Sequence, residues 1–179
     1  MSEEQEVLSA DEEDALYEEV LDLYSREGLD GVLAGPPELR NAAGCRALVN
    51  LGQRIRLIDP DGSAACVICA DLLASRLRPG ELGERELEDF RCEMALQLVW
   101  TWTDLKRTAL AEAALARAGE CFLQGTRDKT LKGNLLDTWA ALHGSKGEFD
   151  KARQAARAAL AFYEQTGERH DQGRILYRM

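Results

Sequence analysis

Residues 133–166 read GNLLDTWAALHGSKGEFDKARQAARAALAFYEQT. Apolar residues recur at helical spacing on both sides of a central turn, Gly147-Glu148-Phe149-Asp150. Small residues such as Ala152 occupy the second half, where they let two helices approach closely while large neighbours fill the adjoining holes. The stretch therefore predicts two antiparallel helices that are joined by a short turn.

The same arrangement recurs along the chain at a nearly fixed period. A large residue followed by a smaller one marks each unit, as Leu51-Gly52, Leu98-Val99 and Trp139-Ala140. The large members of these pairs, together with Met179, are 47, 41 and 40 residues apart. Such self-similarity is typical of repeat proteins, and it divides the chain into units at about 45–78, 92–125 and 133–166.

This pattern resembles the tetratricopeptide repeat, in the roughly 40-residue variety found in bacterial regulators. Leu136 falls on the first large position of the family, Trp139-Ala140 on its large-small pair, and Ala159-Leu160 on a small-large pair of the second helix. The resemblance covers about residues 42–179 and implies an all-α fold, in which antiparallel helix pairs stack as a right-handed superhelix. The alternative is a non-repeating helical bundle whose alanine spacing is coincidental.

The charge of the chain is concentrated at its N-terminus. Of the 32 acidic residues, twelve lie in residues 1–30 beside a single base, Arg26, and they account for the formal net charge of −10. We expect an acidic N-terminal helix and linker over 1–35, followed by an array over 36–179 of about three helix pairs and the start of a fourth. The predicted helices cover about 9–28, 37–58, 63–77, 83–105, 108–125, 129–144, 150–166 and 171–179.

Composition argues against several classes of function. An acidic chain with no basic stripe lacks the cations that supply most affinity for nucleic acids, and anionic membranes would repel it. No apolar stretch approaches the length of a transmembrane helix, and the first thirty residues lack the features of a secretory signal. We therefore expect a cytoplasmic protein that binds neither nucleic acid nor membrane directly.

The sequence contains few residues in patterns typical of catalytic or metal sites. Cys66 and Cys69 form one C-x-x-C, but it lies inside an apolar helical run, and neither a second cysteine pair nor a histidine pair accompanies it. We predict that the five cysteines are small core residues, and we expect no catalytic site, metal or cofactor. The alternative, an enzyme, would need a site built from these two cysteines or from the acidic cluster Glu84, Glu86 and Glu88.

The resemblance implies a non-catalytic scaffold or adaptor that binds a peptide or helix of another protein on its concave face. The groove positions that it implies are Arg46, Gln53 and Arg56 in the first unit, Glu93, Leu96 and Trp100 in the second, and Asn134 and Asp137 in the third. The final helix carries Ile175, Leu176 and Met179 without a partner helix, so we expect it to contact a continuation of the chain, another chain or a second copy. The alternative function is a regulatory or sensor domain of a larger bacterial signalling or transcription protein.

Overall fold

The structure is a computed structural model, and it describes residues 10–35, 40–80 and 82–178. Every regular element in those ranges is an α-helix, which confirms the predicted all-α class. The helices are α1 (Ala10–Ala34), α2 (Ala42–Ile55), α3 (Pro60–Arg76), α4 (Glu84–Asp104), α5 (Thr108–Gln124), α6 (Lys129–Ser145), α7 (Phe149–Thr166) and α8 (Arg169–Arg178).

The chain divides into two compact units, Met1–Gly83 and Glu84–Met179. This boundary differs from the one predicted at residues 35 and 36. The reason is that α1 packs against both α2 and α3, so the acidic helix shares a core with the two helices that follow it.

Two helices of the first unit begin at other residues than the sequence suggested. Asn41 caps α2 by accepting a hydrogen bond from the Gly44 amide at 2.8 Å, whereas the predicted start at Pro37 lies outside the described residues. Asp59 caps α3 in the same way, because its Oδ1 accepts a hydrogen bond of 2.9 Å from the Gly62 amide. The predicted cap, Ser63, is instead a buried residue inside the helix. Both caps are short polar side chains that satisfy a free amide of the first turn.

The first helix is interrupted but not ended at the predicted residue. Gly28 has φ of 66° and ψ of −157°, a conformation that glycine adopts without a side-chain clash, and the chain returns to helix on its far side. The two segments bury Val20 and Val32, one on each side of the break. The interruption therefore lets both halves of α1 contribute to the core of the first unit.

A close helix approach in the first unit explains the pair Leu51-Gly52. Leu51 is fully buried, and a Cβ at Gly52 would lie 3.0 Å from the backbone oxygen of Ser63 and 3.3 Å from Cγ2 of Val67. Glycine thus allows α2 to pack directly against the backbone of α3. The small residue expected at this position is present for the reason that the pattern implies.

We expect Gly52→Ala to destabilise the protein, because overpacking costs about 1–3 kcal/mol and the better helix propensity of alanine returns only about 1 kcal/mol. Gly119→Ala is the matched control, since no atom lies within 4 Å of a Cβ at that helical glycine. It should stabilise by about 0.5–1 kcal/mol. Urea unfolding of both variants measures the difference, and stabilisation by Gly52→Ala would contradict the packing described.

The second unit is a series of packed helix pairs. Helices α4 and α5 pack together, α6 packs against both of them, α7 packs on α6, and α8 packs on α7. One core cluster lies among α4, α5 and α6, and a second joins α6, α7 and α8. Fully buried members of the second cluster are Ala159, Tyr163 and Ile175. Within the described residues, no helix has both the length and the apolar composition that a membrane crossing requires.

Candidate partner-binding surfaces

The predicted partner-binding residues of the first unit lie at the surface. Arg46 and Gln53 are exposed on α2, and Arg56 is exposed at its C-terminal end. Each of the three makes at least one polar or electrostatic interaction within the chain. They are thus accessible, but part of their bonding capacity is already used.

An exposed apolar pair follows Arg56 in the turn between α2 and α3. Leu57 and Ile58 are 90% and 87% exposed, which is unusual for two adjacent aliphatic residues. The backbone turns tightly here, because the amides of Ile58 and Asp59 both donate to the Ile55 carbonyl at 2.8 Å. Sequence reasoning missed this pair because it assigned both residues to the end of the preceding helix.

The predicted residues on α4 have different environments. Glu93 is exposed and Trp100 is partly exposed, and both interact within the chain. Leu96 is only 4% exposed and packs in the cluster with Cys92 and Phe122. Leu96 is therefore a core residue and not part of a binding surface, because this face of α4 is covered by α5 and α6.

The predicted residues on α6 have structural partners. Asn134 accepts a hydrogen bond from the Tyr163 hydroxyl at 2.8 Å. Asp137 is 1% exposed, and its Oδ2 lies 2.8 Å from Nη2 of Arg174 on α8. This distance makes Asp137 and Arg174 an ion pair, although the two groups are not aligned for a hydrogen bond to Oδ2. Asp137 thus holds α8 against α6 and does not belong to an exposed groove.

The last helix is more buried than the sequence suggested. Ile175 is fully buried in the second core cluster, so it is not available for a further contact. Leu176 is 58% exposed, as an outward-facing contact residue would be. Met179 lies outside the described residues.

An apolar surface depression of the second unit lies between α5 and α6. We call it the Trp139 groove, and its volume is about 460 Å³. Its lining residues come from one face of each helix: Glu112, Leu115, Ala116 and Gly119 from α5, and Leu135, Leu136, Trp139, Leu142 and His143 from α6. Two of the four α5 residues, Ala116 and Gly119, are small, which leaves room for an incoming side chain.

Trp139 is held in one orientation at the edge of this groove, although it is 38% exposed. The His143 ring meets it edge-on, with ring centroids 4.5 Å apart and planes at 90°. His143 Nδ1 lies 2.7 Å from Oε2 of Glu148. Lys151, Lys146 and His143 lower the pKa of Glu148 to about 2, so its carboxylate accepts and the His143 nitrogen donates.

The repeat pattern did not identify Trp139 as a surface residue. It placed Trp139 on the large position of a large-small pair, which the family buries, and only the small member, Ala140, is buried here. The signal that could have found it is His143, which lies one helical turn further on and replaces an aromatic residue of the family pattern. An imidazole needs polar partners for its ring nitrogens, which favours a position at the edge of the core over its apolar centre.

The cysteines are placed as the sequence predicted. Four are buried, and Cys121 is half-buried. Burial raises the pKa of Cys66 to about 12 and that of Cys69 to about 11, whereas a redox-active C-x-x-C needs a lowered pKa. Burial also raises the pKa of Cys45 and Cys92 to about 12 and that of Cys121 to about 11. These thiols are therefore protonated near neutral pH.

No group of three or more histidine, cysteine, aspartate or glutamate side chains within 10–35, 40–80 and 82–178 is arranged to hold a metal ion. Comparison of the chain with protein-family models, with curated proteins and with solved structures finds no match.

Proposed function

We propose that this chain is a non-catalytic scaffold or adaptor of tetratricopeptide type that binds an apolar helix or peptide of a partner protein in the Trp139 groove. The observation that carries the proposal is Trp139 itself, a large aromatic side chain that is 38% exposed and pre-oriented by His143. Tryptophan is among the residues most enriched in binding hot spots, and a side chain that is already fixed loses little entropy on binding.

The packing of α6 supports the tetratricopeptide assignment. In such arrays the first helix of one pair packs against both helices of the preceding pair, and α6 contacts both α4 and α5. The raised pKa values of the cysteines support the non-catalytic assignment, because a protonated buried thiol is a poor nucleophile. The partner surface that we propose differs from the face implied by the resemblance, since Leu96 and Asp137 are buried.

We expect Trp139→Ala to weaken partner binding by about 30-fold or more, which corresponds to the roughly 2 kcal/mol of a hot-spot residue. The ligands are peptides selected from a display library on the wild-type protein, and their affinities are measured by fluorescence polarisation. Since Trp139 is partly exposed, the melting temperature should change little.

Leu110→Ala is the matched control, because Leu110 is 48% exposed on α5 and does not line the groove. It should leave peptide affinity unchanged. Equal binding of the selected peptides to wild type and Trp139→Ala would show that the interaction lies elsewhere. A selection that yields no binding peptide would count against the function itself.

A further inference from the structure

A second groove of the same unit lies on another face of α6, between α6 and α7. Helix α8 fills one end of it by inserting Ile175, which is fully buried among Ala140, Ala156 and Tyr163. The surface formed by α6 and α7 therefore already accepts a helix that places an aliphatic side chain among alanines. This filled end shows which kind of element fits the rest of the groove.

The groove continues beyond Ile175 as an open depression of about 340 Å³. Its floor is made of small residues, with Ala141 and Gly144 from α6 facing Ala152 from α7. The lining runs from residue 137 to 144 on α6 and from 149 to 156 on α7. At 1.5 Å per residue this is about 10 Å, or roughly two turns of a helix. A floor without large side chains allows a helix backbone to approach closely.

Two residues of α7 give the rim its chemical character. Phe149 is 67% exposed and lies at the end of the groove away from Ile175. Arg153 is exposed, and neither an ion pair nor a hydrogen bond to its side chain occurs within the described part of the chain. The one carboxylate in the lining, Asp137, is already paired with Arg174. The rim therefore carries an exposed positive charge beside an exposed aromatic ring.

We propose that this α6–α7 groove binds two turns of an amphipathic helix from a partner protein, and that the helix presents small or aliphatic side chains to the floor and a carboxylate to Arg153. This site uses a different face of α6 from the Trp139 groove, and neither proposal depends on the other.

The probes are two alanine-based helical peptides of fourteen residues that carry the same leucine stripe. They differ at one position beside the stripe, which is glutamate in one peptide and lysine in the other. Affinities for the full chain are measured by fluorescence polarisation. We expect the glutamate peptide to bind the wild-type chain about two- to fivefold more tightly, as an exposed ion pair allows.

Three variants test the site. Arg153→Glu should reverse the preference between the two peptides. Arg157→Glu, one turn further along α7 and outside the groove, is the matched control and should leave the preference unchanged. Ala141→Leu fills the floor and should weaken both peptides at least tenfold, while a thermal scan verifies that it remains folded.

Three results would overturn the proposal. They are that neither peptide binds at millimolar concentration, that the preference survives Arg153→Glu, or that Ala141→Leu leaves both affinities intact. Sedimentation of the wild-type chain adds a further outcome. A dimer that Ala141→Leu dissociates would assign the groove to a second copy instead of a partner helix. Since Trp139→Ala does not touch this groove, its effect on the library-selected peptides distinguishes failure here from failure of the proposed function.

Discussion

Replacing Tyr163 by alanine is expected to lower the free energy of unfolding by about 3–5 kcal/mol, the usual cost of removing a buried aromatic side chain. Tyr163 has no exposed surface, and its ring packs so closely on α6 that a Cβ at Gly133 would lie 2.6 Å from Cε1. Its hydroxyl donates to Asn134 at 2.8 Å, and burial raises the pKa of the phenol. The cavity would open where α6, α7 and α8 meet.

Urea unfolding measures this loss, and two controls separate its parts. Tyr163→Phe keeps the ring and removes the hydroxyl with its hydrogen bond to Asn134, so it should cost about 1 kcal/mol. Phe162→Ala truncates the neighbouring aromatic side chain, which is partly exposed, and should cost clearly less than Tyr163→Ala. If Phe162→Ala were the more harmful of the two, the assignment of the core would be wrong.

Replacing Arg174 by alanine is expected to cost about 3 kcal/mol, at the lower end for a broken buried ion pair because the arginine side chain is 37% exposed. The substitution leaves the Asp137 carboxylate, which is 1% exposed, without its counter-charge. A charged group that is buried without a counter-charge destabilises the folded state, and urea unfolding at pH 7 measures the loss.

The double variant Asp137→Ala and Arg174→Ala is the control for charge. It leaves no buried carboxylate behind, so it should be more stable at pH 7 than Arg174→Ala alone. Stability is again measured by urea unfolding at pH 7. A double variant that is less stable than the single variant would mean that lost packing, and not the unpaired charge, dominates.

The two predictions concern the same junction, and together they explain the burial of α8. A helix of ten residues is too short to be stable alone. It is fixed by Ile175 in the core, by the Arg174–Asp137 pair and by a hydrogen bond of 2.8 Å from Gln172 Nε2 to the Tyr163 carbonyl. The burial of Asp137 and Ile175 thus has one cause, which is the docking of α8 on α6 and α7.

Local signals in the sequence determined much of this protein. Alanine and leucine at helical spacing, with glycine and short polar residues at the breaks, predicted the all-α class and most of the helices. The burial of the cysteines and the close approach at Gly52 also followed from local patterns. These features depend on interactions within one helix or between neighbouring helices, which spacing along the chain records.

Only the tertiary structure decided which faces are covered. Leu96 and Asp137 belong to the interior because distant helices pack over them, whereas Trp139 remains half-exposed although its pattern position predicts burial. Burial depends on which helices pack together in space. Helical periodicity identifies the apolar face of a helix but does not identify the helices that cover it.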